Sequence, residues 1–167
     1  ANPADNLVTE CDGNGNLASI QAWLDDNGGA MADDACSDVT WTNDYPGSLT
    51  DECGETGMRT VIFTATDACG NIATTSGTYQ IEDTAEPEFL VEPSNLVVEC
   101  DGRGNLGEFQ AWLDSNAGAL AEDICSDVIW DYNIISEVPS CPETSKTTVE
   151  FTVMDDCGNA KMRTASF

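Results

Sequence analysis

Apolar and polar residues along the chain change from a short extended pattern to a helical period and back, and they do so twice. Residues 6–11 (NLVTEC) and residues 95–100 (NLVVEC) are short and rich in β-branched residues, which predicts a first strand in each half. The sequence CSDVTW at residues 36–41 and its copy CSDVIW at residues 125–130 predict a later strand. We expect residues 46–57 to form an irregular connection.

A short helix of about three turns is predicted after the first strand, because apolar residues recur there at helical spacing. In the first half this apolar face consists of Leu17, Ile20, Trp23 and Leu24. Asn16 and Asn105 stand where helix N-caps are expected, and Glu108 would complete a capping box in the second half. Gly28 or Gly118 would end the helix.

The clearest hairpin lies at the end of the first half. Residues 60–67 (TVIFTATD) and residues 72–83 (IATTSGTYQIED) alternate as strands do, and the turn ACGN joins them. The predicted fold is therefore mainly β, with two tandem antiparallel β-sandwich modules, each carrying one short α-helix after its first strand.

The chain is two copies of one module. The pattern Cys11, Cys36, Cys53 and Cys69 recurs as Cys100, Cys125, Cys141 and Cys157. The copies align without a gap from residue 7 to residue 41, and the offset then shortens by one residue before Cys53, which indicates a surface loop. We therefore divide the chain into repeat domains at residues 1–84 and 85–167.

The second copy ends within its last predicted strand. Phe167 aligns with Tyr79, so this copy lacks counterparts of residues 80–83. We expect the natural chain to continue into another repeat, and the present segment to be monomeric.

Cysteine usage indicates an oxidising, extracellular compartment. Each copy has four cysteines without a CxxC motif, and the chain has no histidine, which favours disulfides over a zinc site. A domain of roughly 85 residues has a marginal core, so such covalent links would contribute much of its stability.

The chain is strongly acidic in both copies. It has 31 acidic and 5 basic residues and a net charge of -26, which excludes nucleic acid as a partner. Solubility, self-repulsion in a long array, salt adaptation and binding of divalent cations would each suit this charge. No apolar run is long enough to insert into a membrane.

Catalysis is not expected from this sequence. It has no histidine for acid–base chemistry, no GxSxG elbow and no phosphate-binding glycine loop. Trp23, Trp112, Trp41 and Trp130 occur at repeated positions, which favours a role in the core. If they were exposed, they could instead stack on sugar rings.

The motifs together resemble a known class of repeat. TATDACGN, the threonine-rich strand after it and the linker EDTAEPEF resemble HYR-type, immunoglobulin-like repeats of very large secreted bacterial surface proteins. The four-cysteine form with ECDGNGN, AWL and DACS resembles repeats of gliding-motility adhesins in particular. The resemblance implies an immunoglobulin-like sandwich in tandem array, displayed on the cell surface. The helix and the extra cysteines depart from simpler HYR modules.

The implied topology suggests one of the three possible disulfide connectivities in each module. The ACGN turn would lie at the same end as the loop before CSDVTW, while the first strand would end at the opposite end. The predicted pairs are Cys36 with Cys69, Cys11 with Cys53, Cys125 with Cys157, and Cys100 with Cys141.

The same topology gathers carboxylates into a possible calcium site, since oxygen ligands without histidine suit calcium. The predicted ligands are Asp33, Asp34 and Asp67 in the first module, with Asp83, Asp123 and Asp155 as the core at the junction. Glu86, Glu122 and Asp156 lie near these positions. The alternative is that these aspartates only stabilise turns.

A second acidic motif resembles the start of an EF-hand loop. Asp12, Asn14 and Asn16 have the right spacing, but Leu17 replaces the required glycine and Trp23 the final glutamate. We interpret this segment as a tight turn leading into the helix.

Three functions follow as hypotheses. The first is a structural repeat of a large secreted adhesin, stiffened by calcium and used in attachment or gliding, whose partners are neighbouring repeats. The second is a module that itself binds extracellular polysaccharide or solid surfaces. The third is an accessory domain of a secreted hydrolase.

Overall fold

The computed structural model describes residues 2–140 and 144–167. The chain divides into two compact units, Ala1–Asp83 and Thr84–Phe167, which we call the first unit and the second unit. The boundary proposed from the sequence lay one residue later.

Within its described residues, the first unit contains four strands, one helix and one 3₁₀ turn. In chain order they are β1 (Leu7–Glu10), α1 (Leu17–Asp25), the turn Asn27–Gly29, β2 (Val39–Asn43), β3 (Gly57–Asp67) and β4 (Ile72–Glu82). The second unit contains β5 (Glu88–Val91), α2 (Leu106–Asp114), the turn Asn116–Gly118, β6 (Leu120–Glu122), β7 (Val128–Pro139), β8 (Ser145–Asp155) and β9 (Ala160–Ser166).

The first unit has a single four-stranded sheet in the order β1-β4-β3-β2. The predicted hairpin is confirmed as β3 and β4, which pair antiparallel. Alternation along β3 buries Val61, Phe63 and Ala65 on the face toward the helix. The expectation of wholly antiparallel pairing is wrong for β1, which runs parallel to β4 from Leu7 opposite Tyr79.

The second unit has a three-stranded antiparallel sheet in the order β7-β8-β9 and a separate short pair, β5-β6. Strand β5 packs on the larger sheet, because the Phe89 ring contacts Trp130 edge-on with centroids 5.7 Å apart. The Arg163 guanidinium lies 5.2 Å from the centre of the Phe89 ring, and Lys161 pairs with Glu88 at 3.3 Å.

In the described residues, the layer that covers the buried face of each sheet is not a second full sheet. In the described residues the helix supplies most of this cover, and in the second unit the β5-β6 pair adds to it. The mainly β class is thus correct, while the prediction of two facing antiparallel sheets needs this correction. The physical reason is that an amphipathic helix with a large aromatic residue buries a sheet face as a second sheet would.

One tryptophan anchors the helix of each unit on its sheet. Trp23 packs edge-on against Phe63 at 5.2 Å, and its Nε1 donates to the carbonyl of Asp5 at 3.2 Å. The second unit repeats this arrangement, with Trp112 edge-on to Phe151 at 5.4 Å and its Nε1 donating to the carbonyl of Ser94 at 3.0 Å. Both indoles are buried, so they belong to the core, as position-by-position repetition had indicated.

The helix start corrects a second expectation. Asn16 adopts a left-handed conformation with φ of 51° and makes no capping hydrogen bond. Its side chain instead accepts from the N–H of Asp12 at 3.1 Å and donates to Thr9 and to the carbonyl of Glu10. Asn105 is also left-handed and likewise does not cap its helix. These buried side-chain amides connect the helix start to the preceding segment. Their oxygen and nitrogen atoms are engaged there and are not available to cap the helix.

Replacing Gly28 by alanine is expected to destabilise the first unit by about 2 to 3 kcal/mol. Gly28 has φ of 66°, and an added Cβ would lie 3.0 Å from Phe63 and 3.1 Å from Ala4. Gly15 provides a matched control because its φ is 70° but nothing lies within 4 Å. Gly15→Ala should cost only about 1 kcal/mol, from backbone strain alone. Urea unfolding tests both variants, and equal losses would contradict the packing argument.

Candidate metal centre

A serine hydroxyl joins two loops at one end of the first unit. Asp34 Oδ1 accepts hydrogen bonds from the N–H groups of Cys36 at 2.9 Å and Ser37 at 3.0 Å, which folds the loop before β2 into a tight turn. Ser37 Oγ accepts from the N–H of Ala68 in the β3–β4 turn at 3.2 Å. The loop and the turn are thereby held together, and we call this end, formed by Asp34, Ser37, Asp67 and Ala68, the first pole.

The second unit builds the same arrangement from the same residue types. Asp123 Oδ1 accepts from the N–H groups of Cys125 at 2.8 Å and Ser126 at 3.1 Å. Ser126 Oγ accepts from the N–H of Asp156 at 3.1 Å. We call the end formed by Asp123, Ser126, Asp155 and Asp156 the second pole.

The aspartate at each strand end holds the turn that follows it. Asp67 Oδ1 accepts from the N–H groups of Cys69 and Asn71, both at 2.8 Å, and its Oδ2 accepts from the Asn71 side-chain amide at 2.6 Å. These hydrogen bonds, that of the Asn71 side chain foremost, lower the pKa of the Asp67 carboxyl below its ordinary value. Asp155 is 3% exposed and binds Asn159 through both oxygens in the same way.

Disulfides occur in both units. Cys11 and Cys53 are disulfide-bonded in the first unit, and Cys125 and Cys157 are disulfide-bonded in the second. Cys125 lies at the second pole and is itself buried, so this bond closes a packed part of the molecule.

The remaining cysteines require a correction. Cys36 and Cys69, for which a bond was predicted, are separate exposed thiols in the structure. A disulfide needs both sulfurs in a narrow geometry, and Cys36 and Cys69 are exposed whereas Cys125 is buried. The predicted bond of Cys100 involves Cys141, which lies outside the described residues.

The predicted calcium ligands of the first unit lie on the two chain segments that form the first pole, but the carboxylate oxygens of Asp33, Asp34 and Asp67, all described residues, do not all come within 4.8 Å of one another. Asp33 and Asp34 are exposed on the loop before β2, and Asp67 lies at the end of β3. All offer the oxygen atoms that calcium prefers. Both oxygens of Asp67 and one of Asp34 already accept N–H groups. Their observed role is therefore to stabilise turns, and a cation would depend on Asp33 and on Asp34 Oδ2.

Of the predicted ligands of the second unit, Asp123 and Asp155 lie at the second pole and have the same two roles as Asp34 and Asp67. The adjacent Cys125 is oxidised, so its sulfur is not a thiolate ligand. Asp83 belongs to the first unit, where it directly follows β4 and is buried.

The residues that connect each pole were not predicted from the sequence. They are Ser37 and Asn71, with Ser126 and Asn159 in the second unit. Their signal was present in the repeat, because CSDV and CGN are unchanged between the copies although neither segment supplies core residues of large volume.

No family model matches the chain, and no curated protein matches it. Among solved structures, the chain is similar to Drosophila N-cadherin EC1-4, with 12% identity, a TM-score of 0.34 and coverage of 79% of this chain and 41% of that one. It is also similar to the protocadherin gamma B4 extracellular domain, with 13% identity, a TM-score of 0.26 and coverage of 66% and 20%.

The chain spans less than half the length of these structures. In the described part of the chain, no helix is both long and apolar enough to cross a membrane.

Removing the second-pole disulfide is expected to lower the free energy of unfolding by about 3 to 4 kcal/mol, because the bond closes a loop of roughly 30 residues. The variant replaces both Cys125 and Cys157 by serine. The matched control replaces Cys36 and Cys69, the aligned thiols of the first unit, and should change stability by less than about 0.5 kcal/mol. Urea unfolding without reductant measures both, and a large loss in the control would contradict the observed thiols.

Asn71→Ala is expected to raise the pKa of Asp67 toward its ordinary value of 3.8, because the largest stabilising hydrogen bond is lost. A lowered folded-state pKa stabilises the protein above the unfolded pKa, and this stability is lost as the pH falls through the folded value. The variant should therefore be less stable at pH 7, with a deficit that shrinks below about pH 3.8.

NMR titration of the Asp67 carboxyl and urea unfolding at several pH values test this prediction. Asn43→Ala is the control, because the Asn43 side chain accepts only from the N–H of Tyr45 at 3.2 Å and its loss affects no carboxyl. A deficit of Asn71→Ala that persists unchanged at low pH would contradict the assignment.

Proposed function

We propose that the chain is a structural repeat segment of a large secreted cell-surface adhesin, forming part of the stalk of a filament used in attachment or gliding motility. The observation that carries this proposal is that two sets of contacts are built twice, one in each unit. The helix tryptophan and the serine-bridged pole recur at aligned residues in both units. Selection has thus kept the internal packing of each unit, as expected for repeated elements of a stalk.

Chemistry outside the core supports an extracellular location. Disulfides persist in oxidising environments and are rare inside cells. A net charge of -26 keeps neighbouring copies apart through self-repulsion, which suits a long exposed array. The proposal needs no catalytic site, and we assign none.

Calcium forms part of the proposal. The oxygen donors at each pole suit a hard cation, although hydrogen bonds already engage several of them. Asp33, Asp34 and Asp67 would hold the ion at the first pole, and Asp123 and Asp155 at the second. The ion would supply positive charge to a strongly acidic surface.

The competing hypothesis is direct binding of polysaccharide through exposed tryptophans. Trp23 and Trp112 are buried and hydrogen-bonded, so they are not available for stacking on sugars. Trp41 is half-buried and borders a cavity of about 460 Å³ with Asn2 and Asp33. This cavity is the observation that a polysaccharide-binding function would rest on.

Calcium is expected to stabilise the chain by about 1 to 3 kcal/mol at concentrations 10 to 100 times its dissociation constant. Thermal melting is compared in calcium and in chelator, with magnesium at equal ionic strength to correct for general screening of the acidic surface. Asp33→Asn should reduce the calcium effect. Asp38→Asn is the matched control, since it removes the same charge from an exposed position on the same loop but outside the predicted site.

Unchanged melting in calcium, or equal effects of the two variants, would contradict the calcium site.

A glycan array separates the two functions, because a structural repeat should bind none of the glycans. Glycan binding that survives chelation and is lost in Trp41→Ala would favour the polysaccharide-binding module and overturn the structural proposal.

A further inference from the structure

Strand β5 is attached to the second unit by a short backbone pairing and by side chains of β9. In the described part of the second unit, its backbone pairs only with the three-residue strand β6, and the register shifts between Phe89 and Val91. Pro87 and Pro93 flank the strand, and neither has an N–H group that could extend the pairing. The backbone of β5 therefore contributes few hydrogen bonds to its attachment.

Two basic side chains of β9 fasten this strand. Lys161 Nζ lies 3.3 Å from Glu88 Oε1, and Arg163 Nε lies 3.0 Å from Glu92 Oε2. The Arg163 guanidinium also lies 5.2 Å from the centre of the Phe89 ring, and its Nη1 donates to a carbonyl of its own strand at 2.8 Å. Two of the 5 basic residues in the sequence thus contact one short segment.

The pairing of β5 with β6 places two like charges directly opposite each other. Glu88 and Glu122 are register partners, and both are exposed. Like charges at opposite positions destabilise a strand pair, so the Lys161 ammonium offsets a repulsion in addition to forming an ion pair. The attachment of β5 therefore depends on charge.

The chain just beyond β5 is fixed in a different way. Ser94 donates its N–H and its hydroxyl to the carbonyl of Ala117, at 3.0 and 2.9 Å, and its own carbonyl accepts from Trp112 Nε1 at 3.0 Å. None of these hydrogen bonds involves a charged side chain, and Trp112 is buried in the core. Detachment of β5 would accordingly stop at Ser94 and leave α2 and the larger sheet in place.

We propose that β5 and Glu92 form an electrostatic clasp, which releases from the second unit while the β7-β8-β9 sheet stays folded. The side chains of Glu88 and Arg163 are 76% and 42% exposed, so salt screens their ion pairs, whereas the core around Trp112 and Phe151 is apolar. In a stalk under tension, a role that rests on the proposed function, release adds residues 88–92 to the connection, up to about 17 Å of extended chain.

Amide hydrogen exchange of the intact chain tests the clasp, with β8 as the reference for the rest of the second unit. Raising sodium chloride from about 0.1 M to about 1 M shortens the screening length from about 10 Å to about 3 Å. Exchange at residues 88–91 and 120–122 should become about two- to fivefold faster, as for the loss of exposed ion pairs. Exchange at β8 should stay unchanged or slow, because salt also reduces the self-repulsion of a chain with a net charge of -26.

Two matched variants identify the residue responsible. Arg163→Gln should accelerate exchange at residues 88–91 already at low salt, and Arg163→Lys, which keeps the charge, should restore part of the protection. Arg103→Gln is the control, since it removes the same charge from an exposed position outside the clasp and should leave this exchange unchanged.

Equal acceleration of β5 and β8 would show that the strand opens only with the whole unit and would overturn the proposal. Equal exchange in Arg163→Gln and Arg103→Gln would overturn it as well. The salt series uses the unaltered chain, so it decides the question even if Arg163→Gln destabilises the whole unit.

Stretching single chains by their two ends measures the released length. A reversible extension of up to about 17 Å is expected before the first unfolding step, at a lower force in Arg163→Gln than in Arg103→Gln. A first step that unfolds a whole unit would contradict release under tension. The exchange measurements depend on neither calcium nor adhesion, so the clasp and the proposed function can fail independently.

Discussion

Each unit depends on the tryptophan that lies between its helix and its sheet. In the first unit the Trp23 ring packs on Phe63 of β3, while its N–H binds the carbonyl of Asp5, so one side chain connects three separate chain segments. A buried indole removes 150 to 250 Å² from water, worth roughly 4 to 6 kcal/mol, which is comparable to the whole stability of a small domain. The sheet is shaped to receive it, since a Cβ at Gly77 would lie 3.0 Å from this ring and 2.6 Å from the Asp5 carbonyl oxygen.

Local pattern and internal repetition were enough to predict the elements around this ring. The helical spacing and the β3–β4 hairpin were both predicted from the sequence, because each depends on nearby residues. The direction of β1 was not, since its partner in β4 lies more than seventy positions away and a four-residue strand satisfies either direction equally. The same reasoning applies to the loop that differs between the copies. Residues 46–56 form no strand, whereas β7 continues to Pro139 opposite Ser145, although neither segment has a decisive local pattern.

The poles show why the acidic residues were harder to interpret. A carboxylate that folds a turn and a carboxylate that binds calcium use the same oxygen atoms, so sequence cannot separate the two roles. The hydrogen bonds in the structure distinguish the two roles, because both carboxylate oxygens of Asp67 already accept hydrogen bonds from Cys69 and Asn71. The serine and the asparagine that recur unchanged in both repeats were the better indication that these aspartates stabilise turns. They complete the hydrogen bonds that hold each pole together. Repetition therefore identifies a functional position only after the packing and turn roles have been assigned.

The segment that connects the two units contributes residues to the packing of each. Residues 80–82 complete the sheet of the first unit, while β5 places Phe89 against Trp130 in the second. The aligned Trp41 is half-buried and borders a cavity. The connecting segment thus contributes the buried Ile81 to one hydrophobic layer and the Phe89 ring to another, so its sequence is constrained by the packing of both units.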